Sequence, residues 1–275
     1  MLFKIIDKQE LNSNTAKITV EAPLIANKAK AGQFVVLVID ETGERVPLTL
    51  AGWDNSNGTI TLIFQRLGFS TKKLGALKAG DYIAHILGPL GHPTEIITSS
   101  TVVCVGAGVG IAEVYPVSMA FKEAGNRVIS IIGTRSKDLL ILENQMGKIS
   151  DELFISTDDG SYGHKGFVID VLKDLLKTIE KSSNTRYPEL VYAVGPVPMM
   201  QAAADLTRNY NIKTIVSLNP IMVDATGMCA SCRCTVDGKT VYGCVDGPDF
   251  DAHKVDFDEL QKRLKLFVDE ENKIL

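Results

Sequence analysis

The chain has 275 residues, 45% of them hydrophobic and 23% charged, with a formal net charge of −4. That length holds two domains with cores of their own. The charge balance, with no block of Lys and Arg, argues against nucleic acid or acidic membrane lipid as partners.

The first residues read as a strand start, without the apolar core and cleavage site of a signal peptide, so a cytoplasmic protein is expected. From there to about residue 97 the pattern is β. Ala16, Ile18 and Val20 alternate with polar residues, and more continuous apolar runs follow at Phe34 to Ile39, Ile60 to Phe64 and Tyr82 to Leu87. Short strands with Gly, Asn and Asp turns at this spacing predict a small barrel over 1–97. Strands and helices then alternate. Strands are expected at 101–105, 128–132, 153–156, 190–194 and 214–218. Helices are expected from the glycine loop to about 124, then at 139–146, 168–180 and 198–209, with a surface loop at 181–186. Such alternation implies a parallel α/β sheet over 98–219. The stretch Thr101 to Phe121 is nearly uncharged, but it holds a Gly/Ala loop and Glu113, and it reads as a buried strand plus helix, not a membrane span. Residues 220–275 form a third segment, poor in periodic apolar residues and dense in Gly, Cys and Asp, with a terminal helix at 257–267.

Two segments carry chemistry. Gly106-Ala-Gly108-Val-Gly110 lies between a strand and a helix, where glycine lets a phosphate approach the backbone and the helix N-terminus favours its charge. The spacing is G-x-G-x-G, and no acidic residue ends the next strand. That strand ends with Arg135 and Lys137, either meeting a ribose 2′-phosphate or standing as solvent-facing loop charges. Gly195-Pro196 ends the fourth strand at the same carboxyl edge.

The other segment holds four of the five cysteines, Cys104 being the exception. Cys229-x2-Cys232-x11-Cys244, with a hairpin turning at Asp237-Gly238, brings three thiolates toward one metal site. The fourth ligand is either Asp224, separated from Cys229 by four residues, or Cys234. Strand parity favours Asp224, since neighbours in a strand point to opposite faces.

Taken with the barrel and the α/β pattern, Ser217 to Cys232 and Cys244-Val-Asp-Gly-Pro-Asp-Phe-Asp251 resemble the ferredoxin–NADP reductase superfamily. Within it the chain is similar to electron-transfer subunits of the dihydroorotate dehydrogenase type. The small subunits of the NADH-dependent reduced-ferredoxin:NADP oxidoreductase group, also called sulfide dehydrogenase subunits, match best. The resemblance implies a β-barrel FAD-binding domain, an α/β parallel-sheet nucleotide-binding domain and a C-terminal [2Fe–2S] segment. It implies that Arg45, Pro47, Leu48 and Thr49 meet the flavin, with Arg45 on the pyrophosphate and Thr49 near N5 as the catalytic contact. The Arg-to-Thr spacing is one residue longer than the usual motif. Gly68, Ser70 and Thr71 would meet the pyrophosphate, and Leu87 to Gly91 resembles the turn that closes the barrel. Asp224, Cys229, Cys232 and Cys244 would ligate the cluster. Asp in the first position marks the transhydrogenase type, where the dihydroorotate type has Cys. The implied activity is oxidation of NADH, or NADPH, through FAD, with single electrons leaving through the cluster. They would pass to a larger flavin and [4Fe–4S] subunit, glutamate synthase small-subunit-like, in an electron-bifurcating heterodimer that acts on ferredoxin indirectly. The alternatives are a dihydroorotate dehydrogenase electron-transfer subunit, a sulfide dehydrogenase subunit and a non-enzymatic zinc module.

Overall fold

The structure is a computed structural model that describes residues 2–181 and 187–271. The surface loop expected at 181–186 lies, after Lys181, outside the described residues. The chain forms two compact units. One comprises the residues through Thr94, Leu218–Asp249 and the residues from Asp256 onward; the other comprises Glu95–Ser217 and Phe250–Val255. The segment expected over 220–275 thus contributes to both.

The first unit is built on seven strands: β1 (Phe3–Glu10), β2 (Thr15–Glu21), β3 (Phe34–Val38), β4 (Arg45–Asp54), β5 (Thr59–Gln65), β6 (Tyr82–Ile83) and β7 (His85–Leu90). They pair antiparallel in the order β6-β1-β2-β5-β4-β3-β7. The two edge strands are separated by Ala84 alone, so the sheet curls back on itself into the expected barrel. Ala84 is also where the single strand expected over 82–87 breaks, its N–H donating to Ile39 O. Strand β7 runs through the residues read as a closing turn, with a cis bond at Gly88-Pro89. The alternation in β2 places Ala16, Ile18 and Val20 in the barrel core with Ile5, Val35, Leu37, Leu50, Leu62 and Phe64. Two helices accompany the barrel, α1 (Pro23–Ala26) and α2 (Phe69–Ala76).

The second unit has six parallel strands: β8 (Thr101–Ala107), β9 (Arg127–Thr134), β10 (Glu152–Thr157), β11 (His164–Lys165), β12 (Leu190–Val194) and β13 (Lys213–Ser217). Their order is β11-β10-β9-β8-β12-β13. Four helices connect them: α3 (Ile111–Glu123), α4 (Glu143–Ile149), α5 (Val168–Glu180) and α6 (Val197–Arg208). Strand β12 is buried throughout, as a central parallel strand must be. The helix expected at 139–146 begins only at Glu143, because Leu142 before it is left-handed at φ 57°. Helix α5 occupies the span its periodicity predicts and buries Val168, Val171, Leu172, Leu176 and Ile179.

After β13 the chain returns to the first unit and forms the hairpin β14 (Arg233–Val236) and β15 (Lys239–Tyr242). A short strand, β16 (Asp249–Asp251), edges the parallel sheet. Helix α7 (Phe257–Leu264) is capped by the Asp256 carboxylate, which accepts from Glu259 N. It ends three residues short of the expected Phe267. The hairpin segment has little core of its own. It buries Ala225, Cys232 and Cys244 against Phe34 and Val36 of β3. Each large apolar side chain covered this way contributes ~1.5–3 kcal/mol, which is what anchors a segment so poor in regular structure.

Candidate flavin face, cysteine centre and nucleotide loop

Strand β4 carries the expected flavin motif, and its pleat sorts the four residues. Val46 and Leu48 pack on the barrel core. Arg45, Pro47 and Thr49 therefore occupy the opposite face. They lie directly across from Val38, Val36 and Phe34 of β3, and cross-strand partners share a face. The extra residue between Arg and Thr thus keeps both on one side of the strand, while the side chain of Leu48 is turned inward. Phe34 and Val36 are the residues that the cysteine segment covers, so the Arg45-Pro47-Thr49 row and the cysteines stand on one outer face of one unit. Arg45 is close enough to help hold the Asp224 carboxyl below its usual range.

Beside this row, α2 begins at Gly68, which has no side chain to cap the first-turn N–H groups. The space around Gly68 is open, with nothing within 4 Å of an added Cβ. The Thr71 hydroxyl accepts from Leu67 N and Gly68 N, each at 3.1 Å. Ser70 Oγ donates to Glu44 Oε2 at 2.6 Å. An uncapped helix start with an open approach fits a pyrophosphate. Leu67 and Phe69 beside it are exposed.

In the cysteine segment, Cys232 and Cys244 are both buried, with their Sγ atoms 3.2 Å apart. Asp224 Oδ2 accepts from Cys229 N at 2.9 Å, and its Oδ1 accepts from Thr226 N at 2.9 Å. These bonds, that from Thr226 foremost, lower the Asp224 pKa. Cys229 is exposed, and its thiol pKa is lowered, chiefly by Ser231. Burial pushes the Cys244 thiol up to about 12, with Cys232 and Asp224 adding to the shift. Among the described residues, no three His, Cys, Asp or Glu side chains converge as they would around a single ion. The four candidates instead fall into two pairs, Asp224 with Cys229 and Cys232 with Cys244. Donors grouped two and two suit a cluster whose two irons divide the protein ligands between them. Cys234 turns its thiol to Cys232 O at 3.6 Å, close enough for the Cys232 thiol to help raise its pKa. Burial pushes that thiol up to about 12, and Glu259 of α7 is among its charged neighbours.

The nucleotide loop lies at the carboxyl end of β8. A Cβ on Gly110 would meet Val194 O at 2.5 Å, at the end of β12, so only glycine lets the loop pass there. Gly108 has φ 59° and open space on its side-chain side, which leaves its backbone approachable. A Cβ on Gly106 would crowd Ile111 of α3, and Gly195 packs against Ala107 and Met199. Pro196 is the N-cap of α6. Arg135 and Lys137 both sit just beyond β9, exposed. Lys137 Nζ lies 4.6 Å above the Tyr162 ring, and its N–H donates to Ser161 Oγ at 2.9 Å.

Two features escaped the reading of the sequence. The turn after β10, Asp158 to Gly166, closes onto β9 through Asp158 N to Thr134 O and Asp159 N to Arg135 O. Tyr162 in that turn donates to Glu143 Oε1 at 2.7 Å. The signal was present as a Gly-rich, Asp-rich run after a strand. Glu113, in the first turn of α3, is buried and accepts from Tyr192 OH at 3.3 Å. Nothing local marks that contact.

Comparison with known proteins gives these features a family. Residues 219–256 match the iron–sulfur cluster binding domain of dihydroorotate dehydrogenase B. The chain is 44% identical to an uncharacterised protein of Clostridium beijerinckii over 99% of this chain and 93% of that one. It is 41% identical to a Thermotoga maritima homologue of the electron transfer subunit of dihydroorotate dehydrogenase B (NAD(+)), over 98% of this chain and 93% of that one. The structure matches a chain from the NADH-dependent reduced ferredoxin–NADP oxidoreductase, solved for insight into flavin-based electron bifurcation. That match has a TM-score of 0.92 and 39% identity, covering 100% of this chain and 96% of the other. The resemblance read from the sequence is borne out: the chain belongs to the family of dihydroorotate dehydrogenase B electron-transfer subunits and their homologues.

Proposed function

We propose that this chain is the FAD- and [2Fe–2S]-bearing subunit of an NADH-oxidising electron-transfer complex. A single observation carries the reading: the row Arg45, Pro47, Thr49 and the cysteine segment share one outer face of the barrel. A flavin held on that row would stand on the same face as a cluster held by the cysteines, which would give an electron a short path between them. Bound FAD supplies the exchange between hydride and single electrons, and the cluster carries one electron at a time.

The chain's own residues bind and orient. The first turn of α2 after Gly68, with Ser70 and Thr71, takes the pyrophosphate together with Arg45. Thr49 would meet the flavin near N5, and Pro47 and the Leu48 backbone would border it. In the second unit, the loop Gly106, Gly108, Gly110 receives the nucleotide phosphates. Gly195 and Pro196 border the nicotinamide end, and Arg135 and Lys137 the adenosine end. Asp224, Cys229, Cys232 and Cys244 hold the cluster. Cys229 and its neighbours Val223, Met228 and Val245 are exposed, which suits electron transfer to a larger flavin and [4Fe–4S] subunit that is glutamate synthase small-subunit-like. That assembly couples NADH, NADP and ferredoxin by bifurcation in the cytoplasm. Among the described residues, no helix is long and apolar enough to cross a membrane.

Family membership also favours a second reading, an electron-transfer subunit serving dihydroorotate oxidation. Anaerobic purification of the native complex separates the two. The first reading expects FAD, about two irons and two acid-labile sulfides per chain, with a [4Fe–4S] partner and NADH-driven reduction of NADP in the presence of ferredoxin. Orotate formation supports the second. Stoichiometric zinc without iron refutes both.

A further inference from the structure

Ser231 sits between Cys229 and Cys232, in the turn that enters β14. Its Oγ accepts from Val223 N at 3.1 Å and lies 3.2 Å from Cys229 Sγ. An amide N–H can only donate, so Val223 occupies a lone pair of the hydroxyl and leaves its proton for another acceptor. A cysteine that ligates iron does so as a thiolate, which has no proton to give and accepts readily. The direction of the bond follows: Ser231 donates and Cys229 accepts. The turn is also held from behind. Arg263 of α7 donates to Ser231 O at 3.0 Å, fixing the backbone that aims the hydroxyl. Cys232 and Cys244, by contrast, are buried among Phe34, Val36 and Ala225.

We propose that Ser231 is a positioning residue that donates a hydrogen bond to the Cys229 thiolate and thereby raises the reduction potential of the cluster. The inference rests on the [2Fe–2S] reading above. The couple concerned is one electron taken by the oxidised cluster, with no bond made or broken at Ser231. The added negative charge lies partly on the ligand sulfurs. A fixed donor there stabilises the reduced state more than the oxidised one, and hydrogen bonds to sulfur are among the factors that set iron–sulfur potentials. The bond falls on the most exposed of the three ligand thiols, so it tunes the cluster at the sulfur nearest solvent.

The test is an EPR-monitored redox titration of anaerobically purified, iron-loaded protein. Ser231→Ala is expected to shift the reduced-to-oxidised ratio about tenfold toward oxidised, a potential lower by about 59 mV for a one-electron couple. Ser231→Thr keeps the hydroxyl and is expected to stay near the parent value. Flavin reduction by NADH should be the same in all three. Transfer of the parent protein to D2O should also move the iron–thiolate Raman bands, with a smaller movement in Ser231→Ala. Full iron content with an unmoved potential in Ser231→Ala overturns this proposal and leaves the cluster reading intact. If Ser231→Ala loses iron, the parent protein decides alone, and Raman bands indifferent to D2O overturn the proposal. Protein without iron overturns both.

Discussion

Two glycines two residues apart in the nucleotide loop should fail in opposite ways. A methyl on Gly110 would lie 2.5 Å from Val194 O, 2.8 Å from Val194 C and 3.1 Å from Gly195 N. That is about 1 Å inside a carbon's preferred contact. The opposing atoms are backbone at the end of β12, which is paired to β8 on one side and β13 on the other, so they cannot turn aside as a side chain would. Gly110→Ala should cost roughly 2–3 kcal/mol, as overpacking of a rigid site does. For a unit of this size that is a fall in Tm of roughly 8 °C. Gly108→Ala meets no atom within 4 Å but must hold φ 59°, a strain of about 1 kcal/mol. Its methyl enters the open side of the loop, so NADH binding should weaken at least tenfold while Tm falls only roughly 3 °C. Thermal unfolding and NADH titration of both variants, with the iron content of the first unit as control, make the comparison. An unchanged Tm in Gly110→Ala, or parent-like NADH affinity in Gly108→Ala, refutes the division of roles.

Further expectations follow from the cysteines and the loop charges. Asp224→Cys should retain the cluster at a changed potential and Asp224→Ala should weaken it, whereas Cys234→Ser should leave the EPR spectrum nearly unchanged; the reverse pattern would reassign the fourth ligand. Burial pushes the Cys104 thiol up to about 12 from 9.0. The folded state therefore keeps a proton that the unfolded chain gives up, and stability falls as pH rises from about 9 toward 12. The contribution is up to ~1.4 kcal/mol per pH unit, so denaturant unfolding of Cys104→Ala should lose that part of the alkaline slope; parallel curves would refute it. Lys137 is engaged over the Tyr162 ring, and NADH should reduce the flavin faster than NADPH at equal concentration in stopped flow. Faster reduction by NADPH would assign Arg135 and Lys137 to a 2′-phosphate.

What the sequence made legible was what local periodicity encodes. The alternation in β2 and the 3.6-residue pattern of α5 are written in adjacent residues, and both elements formed where expected. Leu142 defeats the helix expected at 139–146 because its left-handed backbone is set by the loop around it. The break at Ala84 depends on Ile39, which strand propensity at 82–87 does not reveal. In the site, the cysteine spacing announced a metal centre. Its seat on β3 is a contact between Phe34 and Cys232, almost two hundred positions apart, and no window of sequence contains it. The lengthened Arg45-to-Thr49 spacing was unexplained until the pleat of β4 put Arg45, Pro47 and Thr49 on one face. Ser231 was hidden for a different reason, since a serine between two cysteines gains meaning only from the Val223 amide that orients it.

The chain passes between its two units at Thr94/Glu95, Ser217/Leu218, Asp249/Phe250 and Val255/Asp256. Neither unit is therefore written as one continuous stretch. A fragment ending at Ser217 lacks the cysteine segment of the first unit and residues 250–255 of the second, and its complement carries pieces of both. No single exchange between two genes can transplant one unit whole. Inheritance should keep the two units together, and the nucleotide loop, Arg135 and Lys137 all lie within the one continuous stretch Glu95–Ser217.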